Sequence, residues 1–165
     1  MIESTNEMQN RQSKFNEVAA SLGYSFEGDI KIGGSYVSTT RHGNQIFISG
    51  QIPRVGGTVV VTGRVGDTVT LQQAQLAARI CAMRALALLA QALGSLDKIA
   101  NILRVTVYTQ SAMDFTQQSE VADAASEIFH GVLGESGKHT RTSVGVYQLP
   151  KNAAVELDLV AAVSP

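Results

Sequence analysis

A chain of 165 residues with 44% hydrophobic and 16% charged residues has the composition of one globular domain, which excludes a disordered polypeptide. A formal net charge of −1 excludes a broad nucleic-acid surface, because such surfaces need clustered lysine and arginine. The single cysteine, Cys81, permits no internal disulfide, and residues 1–10 lack the apolar core of a signal peptide, so a cytoplasmic setting is expected.

Tryptophan is absent and aromatics are only 5%, so the core must be aliphatic. Residues 1–10 are polar and are expected to fray. Phe15, Val18, Ala19 and Leu22 recur at helical spacing and Gly23 stops the pattern, which predicts a short amphipathic helix. Residues 24–34 read as a connector. Residues 35–40 read as extended, 41–44 as a turn and 45–49 as a strand, together a hairpin ended by Gly50 and Pro53. Gly56-Gly57 predicts another turn, residues 58–62 a short strand, and Gly63, Gly66 and Asp67 a loop.

Thr70 is placed to cap a long helix rich in Ala, Leu and Gln that runs to Leu93 and stops at Gly94. Its apolar run over residues 86–90 is far too short to cross a bilayer, so no membrane partner is expected. Residues 96–100 read as a linker. Residues 102–109 alternate as a strand, with Ile102, Arg104, Thr106 and Tyr108 on one face and Leu103, Val105, Val107 and Thr109 on the other. Asp114 is placed to cap a second long helix that buries Phe115, Val121, Ala125, Ile128, Phe129 and Val132, and Gly131 and Gly134 frame its end. Two final strands, joined by the turn Leu149-Pro150-Lys151-Asn152, read as a hairpin. This order predicts an α+β fold, a mixed sheet with two main helices on one face plus a short N-terminal helix. The last strand sets Val155, Leu157, Leu159 and Ala161 against Glu156, Asp158, Val160 and Ala162, and a face of that mixed kind suits a contact with another subunit.

The last two strands carry the most suggestive chemistry. Arg141 opens one of them, either as a surface ion pair or as a carboxylate clamp, since a guanidinium grips a carboxylate through two parallel hydrogen bonds. Its small neighbours Thr142, Ser143 and Gly145 leave room for a ligand. Glu156 is either a solvated alternating position or a buried carboxylate that orients a water. Ser49-Gly50 ends an apolar strand without the Gly-x-Ser-x-Gly elbow of a hydrolase, which favours a cleft lining over a nucleophile. Tyr36, after Gly33-Gly34, is a core tyrosine or a lid. His42, His130 and His139 show no metal-ligand spacing, and His139 stands two residues before Arg141, where a role at a site's rim fits. Cys81 sits on an apolar helix face and reads as core.

Ser49-Gly-Gln-Ile-Pro53, the strand Val105-Thr-Val-Tyr108 followed by Asp114-Phe115, and Arg141-x-x-Val144 with Leu149-Pro150 and Val155-Glu156 together resemble the RidA/YjgF family, also called the reactive-intermediate deaminase or endoribonuclease L-PSP family. The match covers roughly residues 33–163, leaving residues 1–32 as an extension before a domain at 33–165; the extension, Gly63-Arg-Val-Gly66 and Gly137-Lys-His-Thr-Arg141 resemble the family's longer YjgF-like branch. The resemblance implies a chorismate-mutase-like fold and a homotrimer with clefts between subunits. It implies a deaminase that hydrolyses 2-imino or enamine acids to 2-oxo acids and ammonia without metal or organic cofactor. Arg141 matches the arginine that holds the substrate carboxylate and Glu156 the glutamate that places water, with Tyr36, Ser49, Gly50 and Ser143 at substrate-binding positions. Three departures stand out: Ser143 replaces a common cysteine, Ser119 replaces a common asparagine, and a proline before the arginine motif is missing. The alternatives are a trimer that binds small carboxylates without catalysis and an endoribonuclease, for which the chain offers neither an acid–base histidine pair nor a basic stripe.

Overall fold

A computed structural model of the chain describes residues 2–30 and 32–165; Met1, in the N-terminal stretch expected to fray, and Lys31, in the predicted connector, lie outside the described residues. The element order is α1 (Ile2–Leu22), β1 (Thr39–His42), β2 (Gln45–Gln51), β3 (Arg54–Val55), β4 (Thr58–Val59), α2 (Leu71–Leu93), β5 (Ile99–Gln110), α3 (Gln118–Leu133), β6 (Thr140–Val146) and β7 (Val155–Val163). β1, β2, β7, β5 and β6 form one sheet in that spatial order, parallel only between β5 and β6. β3 and β4 make a separate small hairpin.

The core forms where one face of the sheet meets α2 and α3. Alternation along β7 sends Val155, Leu157, Leu159, Ala161 and Val163 inward, with Val105 and Val107 of β5 and Ile46 and Ile48 of β2 beside them, all buried. Burying each Leu or Ile contributes about 1.5–3 kcal/mol. Among the described residues, no helix covers the opposite face. Phe47 and Val144 stay exposed there, Phe47 pairing with Val160 of β7. α2 is long and apolar enough to cross a membrane by length and composition, yet it serves as the central core helix, with 72% of its most apolar window buried. Thr70 caps it as predicted: its hydroxyl accepts from Gln73 N (3.2 Å) while the Gln73 carboxamide accepts from Thr70 N (2.8 Å). Gly94 closes it in the left-handed region (φ 85°), its N–H bonded to the Ala90 carbonyl.

Several local expectations need correction. α1 starts at Ile2 rather than near Phe15. Glu, Met, Gln, Arg and Lys favour helix without any apolar stripe to announce it. Arg11 ties α1 down by donating to the carbonyls of Leu96 (3.0 Å) and Ile99 (2.9 Å) and to Ser136 Oγ (2.9 Å). β1 continues to His42, which narrows the turn to Gly43-Asn44. The strand expected over 58–62 is only Thr58–Val59. Along β5 a register shift between Ile102 and Arg104 changes the alternation, so Ile102 joins the core while Leu103 is half-buried. Asp114 does not cap α3, which begins at Gln118 after Gln117 without a side-chain cap. The largest correction concerns the C-terminal hairpin: β6 and β7 are both strands, but β5 lies between them.

Candidate functional site

The first half of the site grows from an irregularity in β2. Ile48 pairs with Leu159 and Gln51 with Leu157, so three steps along β2 match two along β7 and the strand bulges at Ser49-Gly50. Glu156 of β7 lies against that bulge. A methyl group built on Gly50 would land on Glu156 Oε1 and 3.0 Å from its Cδ, so the carboxylate can rest there only over a glycine. Burial, reinforced by the neighbouring Asp158 charge, raises the Glu156 pKa above the usual carboxylate range. Asp158 in turn accepts from the Tyr108 hydroxyl at 3.0 Å.

Glu156 opens into a cavity of about 180 Å³ together with Tyr36, Gly50 and Gln51. The Ser49 hydroxyl points elsewhere, donating to the Val37 carbonyl (2.7 Å), while Ser49 N donates to the Ser38 carbonyl (2.9 Å); both bonds hold the segment after Tyr36 beside the bulge. Arg84, reaching from α2 and only 5% exposed, is a residue that sequence reasoning missed. Its Nε donates to Gln51 Oε1 (3.1 Å) and its Nη1 to the Arg54 carbonyl (2.7 Å), and Gln51 Nε2 donates to the Ser49 carbonyl (2.9 Å). The chain Arg84–Gln51–Ser49 braces the bulge from the helix layer. Its signal in the sequence is one charge within the apolar run Ile80-Cys-Ala-Met-Arg84-Ala-Leu. Cys81, one turn earlier, is inert: burial pushes its thiol pKa far up.

The second half lies on β6, at the edge of the sheet. Arg141 and Ser143 pair with Val105 and Val107, so both sit on the helix-covered face. Arg141 Nη1 donates to Asp123 Oδ1 (2.9 Å) and Ser126 Oγ (3.0 Å), and Nη2 lies 3.4 Å from Ser119 O and Oγ. His139 Nδ1 is 2.6 Å from the Gly137 carbonyl and its Nε2 is 2.9 Å from Ser126 Oγ. A carbonyl only accepts, so Nδ1 carries the proton and the Nε2 of a neutral ring accepts from Ser126. Burial lowers the His139 pKa, and the Arg141 charge adds to the effect. Arg141, Ser126, His139 and Gly137 thus form a directed chain that fixes the guanidinium against α3. Arg141 opens into a wide cleft shared with His130, Lys138 and His139.

Within this chain the two halves do not meet. Glu156 pairs across to Tyr108, whose neighbours Val105 and Val107 mark the opposite face, so Arg141 and Glu156 lie on opposite faces with β5 between their strands. The structure brings Tyr36, Gly50 and Glu156 together, and separately Arg141 with Ser119. Among the described residues no group of three or more His, Cys, Asp and Glu side chains is arranged to hold a metal ion.

Residues 13–163 match the family model described as "YjgF/chorismate_mutase-like, putative endoribonuclease". Protein TCP17 of Trypanosoma cruzi is 42% identical over 127 residues, covering 75% of this chain and 78% of that protein. The 2-iminobutanoate/2-iminopropanoate deaminase of Dermatophagoides farinae is 30% identical over 131 residues, covering 79% of this chain and 87% of that one. The crystal structure of Atu1372 from Agrobacterium tumefaciens, a protein of unknown function, superposes with a TM-score of 0.86 at 33% identity and covers 99% of this chain and 98% of that one.

Proposed function

The chain belongs to the RidA/YjgF family, and from that premise we propose that it hydrolyses small 2-imino and enamine acids to 2-oxo acids and ammonia, at clefts formed between the subunits of a homotrimer. The observation that carries this reading is the division of the site. Glu156 sits in a cavity on one sheet face and Arg141 at an edge on the other. Each is half of the apparatus such a reaction needs, and a neighbouring protomer supplies the complement.

The chemistry follows from the groups involved. Arg141 of one protomer holds the substrate carboxylate through its outward N–H groups while Asp123 and Ser126 keep the guanidinium in place. Glu156 of the next protomer accepts a proton from a water as that water's oxygen bonds to the imine carbon. The C=N bond becomes single as its nitrogen takes that proton back from Glu156. The tetrahedral intermediate then collapses: Glu156 accepts the hydroxyl proton as C=O forms, and passes it to the nitrogen as the C–N bond breaks and ammonia leaves. The imine carbon is already electrophilic, so positioning supplies much of the acceleration. The raised pKa of Glu156 suits a group that must both accept and return a proton. Ser143, beside Arg141 on the same strand face, contributes its hydroxyl to the cleft lining.

The test is ammonia release, above the uncatalysed rate, from 2-iminopropanoate generated in situ by an amino-acid oxidase acting on alanine. Arg141→Ala and Glu156→Gln each bring the rate close to background. Unchanged turnover in either variant overturns that residue's role. A wild-type protein that binds pyruvate by calorimetry yet never accelerates ammonia release is a carboxylate-binding protein instead.

A further inference from the structure

The Glu156 cavity holds more positive charge than the proposed reaction uses. Arg54, Arg84 and Lys151 line it opposite a single carboxylate. Glu156 is a poor counter-charge for them, because burial and the neighbouring Asp158 charge raise its pKa and disfavour its ionised form. Burial lowers the Arg84 pKa, and the nearby Arg54 charge adds to that. Like charges gathered in a small cavity are an unfavourable arrangement that a bound anion relieves.

Arg54 lines the cavity, and its Nε is buried without a hydrogen-bond partner among the described residues, so the protein by itself does not satisfy this guanidinium. Lys151 completes the wall from the turn between β6 and β7. Lys151 and the adjacent Asn152 both have left-handed backbones, φ 58° and 56°. Asparagine adopts this conformation readily, whereas lysine does so at a cost. The turn is locked by the buried Gln110, whose Nε2 donates to Asn152 Oδ1 (2.8 Å) and whose Oε1 accepts from Leu149 N (2.8 Å). The fold therefore holds a strained lysine at the rim of the cationic cavity.

We propose that Arg54 and Lys151 form a second anion subsite, and that the preferred substrates are 2-imino dicarboxylic acids whose side-chain carboxylate enters this cavity. The inference rests on the proposed deaminase reading for the imine, with Arg141 of the neighbouring protomer on the α-carboxylate. At about 30 Å³ per water, the cavity of about 180 Å³ holds roughly six waters, enough for the acidic arm of a four- or five-carbon substrate.

Two measurements separate this subsite from the reading beneath it. In calorimetry, 2-oxoglutarate binds the wild-type protein about tenfold or more tighter than pyruvate, as expected for an added charge-assisted contact. Arg54→Met and, independently, Lys151→Gln shrink that ratio; Lys151 is exposed, so its replacement keeps the fold intact. Equal binding of the two acids, or a preference that survives both substitutions, overturns the subsite whether or not the protein is a deaminase. In turnover, the ratio of kcat/KM for 2-iminoglutarate over 2-iminopropanoate, each generated by an amino-acid oxidase, exceeds about ten and collapses in Arg54→Met. A dicarboxylate preference in binding without acceleration of either imine supports the subsite and removes the deaminase reading. Turnover of both imines at equal efficiency does the reverse.

Discussion

Gly50→Ala separates the catalytic geometry from the fold. The added methyl would land on Glu156 Oε1 and stand 3.0 Å from its Cδ, where non-bonded carbon pairs prefer about 3.5–4.0 Å, so the carboxyl group must retreat by about 1 Å or more. What it meets is the free end of a side chain, not backbone. Turning Glu156 off its rotamer costs about 0.5–1.5 kcal/mol. Replacing a glycine outside the left-handed region returns about 0.4–1 kcal/mol through the unfolded chain. The two offset to within about 1 kcal/mol, which for a domain of this size moves Tm by no more than about 2–4 °C. Catalysis is less forgiving, because a misplacement of about 1 Å can cost about 10²-fold, or roughly 2.7 kcal/mol of barrier. Thermal unfolding and ammonia release measured on one preparation decide the matter. Gly137→Ala is the control: there a methyl would collide with the Phe129 carbonyl and lie 2.8 Å from His130 N, both helix backbone, so the fold itself loses about 1–3 kcal/mol or more. Full activity in Gly50→Ala, or a Tm fall as large as that of Gly137→Ala, refutes the assignment of Gly50 as the floor beneath the catalytic carboxylate.

If Glu156 is the base, the acid limb of the rate profile falls at a higher pH than an ordinary glutamate near about 4.3 would give, because the carboxylate must be ionised to accept the proton. Asp158→Asn removes a charge that raises it and shifts the limb downward, and a limb that stays in place argues against Glu156 as the base. His139 predicts a stability effect. Its folded pKa lies below the unfolded value, so its contribution is complete above about pH 6.5, declines as pH falls toward the folded pKa, and is level below it. Urea midpoints between pH 7.5 and 5 should fall less in His139→Gln than in the parent protein. Arg84→Leu leaves Gln51 Oε1 and the Arg54 carbonyl without these donors, which costs about 1–3 kcal/mol in denaturant unfolding.

What was legible in the sequence follows the range of the forces involved. Thr70, Gln73 and Gly94 act on backbone groups a few residues away, so the ends of α2 could be read directly. The inward residues of β7 could be read because period-two alternation is local. The separation of β6 from β7 could not, because β5 enters between them from some thirty residues upstream and no local pattern records an intervening strand. The phase of Ile102 was lost at a register shift, and Arg84 was hidden because an apolar helix face reads as core even where one charge interrupts it. The site residues were legible only as a set of motifs. Their chemistry was visible residue by residue, but the division of Arg141 and Glu156 between two sheet faces is a property of topology.

That division makes the proposed function testable in a way that a self-contained site would not allow. If each cleft takes Arg141 from one protomer and Glu156 from its neighbour, Arg141→Ala and Glu156→Gln disable different sides of the same cleft. Neither variant alone has a working site. When the two are unfolded and refolded together in equal amounts, an interface receives intact Arg141 with a chance of one half and intact Glu156 with the same chance, so about a quarter of the sites recover. Recovery near a quarter of wild-type ammonia release, absent when the variants are refolded apart and then mixed cold, assigns the two groups to different protomers. If both groups acted from the same chain, every subunit in the mixture would carry one defect and no site would recover at any ratio.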